Sequence, residues 1–108
     1  VPLVNKPLIK FYCHEGEVNA IKYHKSGKYF VTGGGDRKIK LWELKDGRCD
    51  LISNLVGSNA SIASLDIDNE NNLIVGTSFD FACRLWSLNE HRLRVIIFFF
   101  FFFFLIES

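Results

Sequence analysis

Residues 32–42 run Thr32-Gly33-Gly34-Gly35-Asp36-Arg37-Lys38-Ile39-Lys40-Leu41-Trp42, and the frame of that stretch returns 44 residues later, ending Asp80-Phe81-Ala82-Cys83-Arg84-Leu85-Trp86. Trp42 pairs with Trp86 at that interval, Asp36 with Asp80, Leu41 with Leu85 and Val31 with Val75. Val18 and Ile62, Ile21 and Leu65, and Tyr23 and Ile67 keep the same register without a gap. What repeats is a pattern of apolar positions with a few special residues. A period of about 40–45 residues with Trp near its end marks a four-stranded repeating unit that buries its faces against its neighbours.

Working outward, each unit breaks into short strands. Val18 to Tyr23 is the first. Ser26-Gly27 ends it. Tyr29 to Thr32 is a short apolar strand, and Gly33-Gly34-Gly35-Asp36 is a tight turn whose glycines are expected to supply positive φ angles. Lys38 to Trp42 alternates with period two, as a half-buried strand does. Asp46-Gly47 turns the chain into an outer strand, Asp50 to Leu55. The second unit repeats the order: strand Ile62 to Ile67, turn Asp68 to Asn72, strand Leu73 to Gly76, turn Thr77 to Asp80, strand Ala82 to Trp86, and an outer strand from Arg92. Leu8 to Tyr12 reads as the outer strand of a preceding unit. The expected organisation is residues 1–12 as that strand or a linker, 13–56 as the first repeat, 57–97 as the second with an incomplete outer strand, and 98–108 as a phenylalanine-rich tail.

These residues resemble the WD40 repeat family, so the expected fold is all-β: a partial β-propeller of about two four-stranded antiparallel blades. The resemblance implies a structural tetrad in the first unit, His14, Thr32, Asp36 and Trp42. A buried carboxylate needs partners, and imidazole, hydroxyl and indole N–H supply donors of the right kind. The second unit keeps Asp80 and Trp86 but has Ser58 and Gly76 where His and Ser or Thr are expected. Its tetrad is degenerate, and Asp80 is expected to have fewer partners than Asp36.

A narrower resemblance lies inside these matches. His14-Glu15-Gly16-Glu17-Val18-Asn19-Ala20, the Thr32 to Glu43 stretch, Gly57-Ser58-Asn59-Ala60, Asp80-Phe81-Ala82-Cys83-Arg84-Leu85-Trp86 and Arg92-Leu93-Arg94 are similar to the WD40 region of the autophagy-related protein 16-like family. It covers about residues 13 to 95. It implies a cytoplasmic scaffold that binds proteins and associates peripherally with the autophagosome precursor membrane. In that family, regions with no counterpart in this chain bind the autophagy protein 12–autophagy protein 5 conjugate. The assembly directs lipid conjugation of autophagy protein 8, and the propeller recruits membrane or cargo proteins. A WD40 adaptor of another pathway, a ubiquitin-ligase substrate receptor or signalling scaffold, is the alternative.

Composition narrows the classes further. A net charge of +1 over 108 residues carries no electrostatic footprint for nucleic acid, so no nucleic-acid partner is expected. Cys13, Cys49 and Cys83 are odd in number and far apart, which suits reduced thiols of a cytosolic or nuclear protein. Gly33-Gly34-Gly35 lacks the following Gly-Lys-Ser/Thr of a phosphate loop. Cys13-His14 has no second pair at zinc spacing, and no nucleophile elbow is present. Asn59-Ala60-Ser61 matches the glycosylation pattern, which a cytosolic protein would not use. The expectation is a non-enzyme with no cofactor. Arg37, Lys38 and Lys40 flank the first tight turn and Arg84 holds the equivalent place in the second; they read first as a solvated face and second as a partner surface.

The chain contains no methionine and opens Val1-Pro2-Leu3-Val4, which is expected of a piece cut from a longer protein. Its apolar run from Val95 to Ile106 is shorter than the roughly 20 residues a helix needs to span a bilayer. The seven phenylalanines at 98–104 are expected to come from a translated poly-T stretch, as in an intron read through. Two blades with two open apolar faces and such a run are expected to be poorly soluble or partly unfolded.

Overall fold

The structure, a computed structural model, describes residues 11–98. Eight strands follow in chain order: β1 Val18–Tyr23, β2 Tyr29–Gly34, β3 Ile39–Lys45, β4 Arg48–Leu55, β5 Ile62–Asp68, β6 Leu73–Ser78, β7 Ala82–Ser87 and β8 Leu93–Phe98. They form two antiparallel meanders, β1-β2-β3-β4 and β5-β6-β7-β8, each strand paired with its neighbour in sequence. The all-β expectation of two four-stranded blades is met. Of the strand expected at Leu8 to Tyr12, Leu8 to Lys10 lie outside the described residues, and Phe11 and Tyr12 are not in a strand. Residues 99–108 of the tail also lie outside them. Phe98 is the last residue of β8, which pairs with β7 from Leu93 to Phe98.

The repeat reaches into the irregularities. Register shifts fall between Val18 and Ala20 in β1 and between Ile62 and Ser64 in β5, the same place in each unit. A second matched pair falls at Leu41/Trp42 in β3 and Leu85/Trp86 in β7. A bulge bends its strand and re-aims the side chains beyond it, so its recurrence means both sheets curve alike.

The glycines act differently from expectation. Gly33 and Gly34 lie within β2, and none of Gly33, Gly34 and Gly35 has positive φ; the turn places that conformation on Arg37 (φ 70°), as its counterpart does on Phe81 (φ 64°). The Arg37 N–H donates to the Gly34 carbonyl at 3.2 Å and the Phe81 N–H to the Ser78 carbonyl at 3.2 Å, so both hairpins turn tightly and then place one residue in the left-handed region. The glycines are needed for close approach. A Cβ on Gly33 would lie 2.9 Å from Ile62 Cβ, and one on Gly34 would lie 2.7 Å from the Glu17 carbonyl oxygen.

The core sits between the sheets. Val31, Ile39, Leu41 and Leu55 of the first meet Ile62, Leu65, Ile67, Ile74 and Trp86 of the second. Ile39 and Leu41 lie two apart on β3, as do Leu65 and Ile67 on β5, while the bulge after Ile62 sets that residue three before Leu65, and Leu55 ends β4. Hydrogen bonds pin the edges of the interface: Asn19 Nδ2 to the Ile62 carbonyl at 2.9 Å, Ser61 Oγ to the Gly35 carbonyl at 3.3 Å, and the Lys25 N–H to Asn69 Oδ1 at 2.8 Å.

Candidate functional site

In the first sheet the turn after β2 brings Asp36 back over the loop that precedes β1, where His14 is buried. His14 Nδ1 lies 2.9 and 3.1 Å from the two Asp36 carboxylate oxygens, and Nε2 lies 2.7 Å from Thr32 Oγ1. Trp42 Nε1 donates to the same hydroxyl at 2.9 Å. Donor arithmetic orders this chain. The indole N–H donates to the Thr32 oxygen, the hydroxyl donates to Nε2, and Nδ1–H donates to the carboxylate. The structure thus brings His14, Thr32, Asp36 and Trp42 together. Burial works against the Asp36 charge, but the N–H groups of Glu15 and Lys38 and the His14 side chain outweigh it and hold the carboxyl below its usual range.

A hydroxyl, an imidazole and a carboxylate in line also have the order of a nucleophilic triad. Here the hydroxyl is spent on the indole, and Thr32, His14 and Trp42 are all buried. The arrangement ties loop, β2 and β3 together.

The second sheet solves the same problem with other residues. Asp80 accepts from Arg84 Nη2 at 2.8 Å and Nη1 at 3.3 Å, and from the Ser78 hydroxyl. Arg84 Nη1 also donates to Ser78 Oγ at 2.9 Å. The Asn59 N–H adds a backbone bond, and the Arg84 guanidinium, ahead of the other causes, holds the Asp80 carboxyl far below its usual range. Two expectations are corrected here. Asp80 does not have fewer partners than Asp36: each is held by three residues. Arg84 is not a partner surface but is 1% exposed. A buried carboxylate without the imidazole needs other hydrogen-bond donors, and β7 directs Arg84 inward to supply them. The Arg84 carbon also lies 5.9 Å from the Phe98 ring centroid. Its Nε has no hydrogen-bond partner among the described residues.

Trp86 stands apart from this cluster. Its Nε1 donates to the Val56 carbonyl at 2.9 Å. Nor does position 76 have room for a hydroxyl residue, since a Cβ there would lie 2.7 Å from Ile39 Cδ1. Asp80 and Trp86 therefore belong to two separate contacts. Sequence reasoning missed Ser78 and the role of Arg84. The available signal was a hydroxyl two residues before Asp80 and a cation four after it.

Of the other cations considered for a partner surface, Arg37 and Lys38 are exposed at the turn. Lys40 is half-buried, with its ammonium 5.9 Å from the Trp42 ring centroid. Among the described residues no three His, Cys, Asp or Glu side chains are grouped to hold a metal ion.

The description "WD domain, G-beta repeat" matches residues 5–43 and 49–87. The chain belongs to the WD40 repeat family. Among curated relatives, it is 34% identical over 77 residues to Protein Atg16l2 of Mus musculus, covering 71% of this chain and 12% of that protein. It is 31% identical over 86 residues to Autophagic-related protein 16.2 of Caenorhabditis elegans, covering 78% and 16%. A bromodomain and WD repeat-containing protein of Dictyostelium discoideum is 31% identical over 81 residues, covering 75% and 4%. The WD40 chain thus spans 12% and 16% of the two autophagy-related proteins it matches. The WD40 repeat is a protein-interaction fold, and rigid sheets that present loops at their ends suit that use.

Proposed function

We propose that this chain is a non-catalytic WD40 scaffold segment of an autophagy factor related to autophagy-related protein 16. That factor would direct the lipid conjugation of autophagy protein 8 as autophagosomes form. The observation that carries the reading is the cluster of family-specific stretches, Gly57-Ser58-Asn59-Ala60 and Asp80-Phe81-Ala82, in a chain similar to two relatives whose names place them in autophagy. The partners are proteins. The propeller would recruit membrane or cargo proteins, while other regions would bind the autophagy protein 12–autophagy protein 5 conjugate. The place of action is the cytoplasm, at the precursor membrane. The chain's own contribution is mechanical: two sheets locked by buried polar chains hold the turns at 35–38 and 79–81 in fixed relation.

Proximity labelling from the tagged protein in starved cells tests this. Enrichment of the autophagy protein 12–autophagy protein 5 conjugate is expected. Enrichment of ubiquitin-ligase or signalling complexes in its place would reassign the chain to the second reading, a WD40 adaptor of another pathway. The similarity to the bromodomain protein is the observation that favours that alternative.

A further inference from the structure

The two ends of the sheets show different chemistry to solvent. One end gathers the turns at 35–38 and 79–81 and the connection 56–61. Phe79 and Phe81 in the second of these turns are 66% and 73% exposed, and Val56 on the connection is also exposed. At the other end the second sheet turns through Asp68, Asn69, Glu70 and Asn71 instead. Neither ring owes its exposure to where the chain stops. Phe79 bonds to Ser61, which itself bonds to Gly35 of the first sheet, so it is exposed with that neighbour in place. Phe81 holds the position of Arg37, which is exposed although the second sheet covers the first.

The tip that carries the rings is closed on itself. The Phe79 N–H donates to the Ser61 carbonyl at 3.0 Å and the Phe81 N–H to the Ser78 carbonyl at 3.2 Å. The one charged group between them, Asp80, is turned to Arg84 and Ser78. A segment that enters an apolar medium must bring no unpaired backbone donor and no free charge, and the aromatic N–H groups and the carboxylate of this tip meet that condition. The turn at 35–38 has the same backbone closure but carries Arg37 and Lys38 exposed. Phe81 also takes φ 64°, which a large side chain adopts only at a cost and which glycine or asparagine would fill freely. The turn itself therefore has no need of the ring. Among the described residues neither Phe79 nor Phe81 meets another ring or a cation.

We propose that the 79–81 turn is a membrane contact that sets its two rings into the interface of a lipid bilayer. Amphipathic rings settle at that level. A tip already held by Arg84, Ser78 and Ser61 loses little freedom on entering it. Arg37 and Lys38 on the adjoining turn are matched by Glu15 and Glu17, exposed at the same end, so the attraction is apolar and does not depend on anionic lipid. Strongly curved bilayers favour such insertion. The inference deepens the autophagy reading and rests on it only for which membrane is met.

An environment-sensitive fluorophore on Phe79→Cys tests this in the full chain, with Cys13, Cys49 and Cys83 replaced by serine. Small, strongly curved vesicles of phosphatidylcholine alone are expected to raise its emission and shift it to the blue. The same fluorophore on Glu70→Cys, at the opposite end, is expected to stay unchanged. No response at position 79 would overturn the proposal and leave the rings to a protein partner. Equal responses at both positions would overturn it as well, because the phenylalanine run at 98–104 would then be bringing the whole chain to lipid. Phe81→Asn suits the left-handed position, so it is expected to keep its β-sheet circular dichroism while binding vesicles about tenfold more weakly. Undiminished binding by that variant would count against the contact. Added salt is expected to leave binding intact, whereas loss in salt would transfer the contact to Arg37 and Lys38 and sink the apolar mechanism. Proximity labelling reads the autophagy assignment separately, so either inference can fail alone.

Discussion

At the scale of single residues, two aspartates in equivalent turns are held by different chemistry. Asp36 is held by His14 and two backbone N–H groups; Asp80 is held by Arg84, Ser78 and one backbone N–H. Removing Arg84 leaves a carboxylate and a hydroxyl without their donor inside a packed turn. Arg84→Ala is therefore expected to destabilise by about 3 kcal/mol, seen as a lower urea midpoint at unchanged slope. Thr32→Val removes the hydroxyl that links indole and imidazole, leaving one buried donor, the Trp42 indole N–H, and one buried acceptor, His14 Nε2, unpaired. The expected loss is about 1–3 kcal/mol, read from the same titration. Both carboxyls have folded-state pKa values below their unfolded ones. Their stabilisation is fully present above the unfolded value of about 3.9 and is lost as pH falls through the folded values. Stability should thus decline below about pH 4, and the Asp80→Asn variant should show a shallower decline. An equally steep acid limb in that variant would deny Asp80 its part.

At the scale of elements, strand identity followed from alternation and strand spacing from turn residues. The expected strands lie within two residues of the observed ones, apart from β3, which runs three residues past Trp42 to Lys45, and Leu8 to Tyr12, of which Phe11 and Tyr12 are not in a strand. The turn mechanism did not follow. Glycine adopts positive φ most freely, which is what the Gly33-Gly34-Gly35 run suggests, yet none of the three has it, and the use of Gly33 and Gly34 is to let Ile62 and the Glu17 backbone approach. Such a contact joins residues far apart in sequence, and local pattern holds no trace of it. This gives a prediction against the family pattern. Gly76→Ser restores a residue of the type expected there, but its Cβ would meet Ile39 Cδ1 and Trp86 Cζ3, at 2.7 and 3.2 Å. It is expected to destabilise by about 1–3 kcal/mol, the usual range for overpacking. A rise in melting temperature would show that the gap at position 76 is not filled as described.

At the scale of the whole molecule, the sheets are one folding unit because their core is shared. Ile39 belongs to the first sheet, is completely buried and packs on Gly76 of the second. Ile39→Ala is expected to cost about 2–5 kcal/mol and to speed amide exchange in β5 and β6 as well as in β2 and β3. Faster exchange confined to the first sheet would mean the sheets unfold separately.

By itself the sequence determined the all-β class, the order of the strands, the four-strand period, the WD40 resemblance and the membership of the His14–Thr32–Asp36–Trp42 chain. The class, the strand order and the period rest on residue types at fixed intervals, which the 44-residue repeat displays twice, whereas the four-residue chain is what the WD40 resemblance implies and occurs in the first unit alone. Only the tertiary structure decided that Arg84 turns inward, that Trp86 leaves Asp80 for the Val56 carbonyl, and which apolar faces stay open. The physical reason is the same in each case. A buried charge, an indole N–H or an apolar strand face takes whatever partner the packing of distant segments puts within reach, and that proximity is a property of the fold and not of the intervals along the chain.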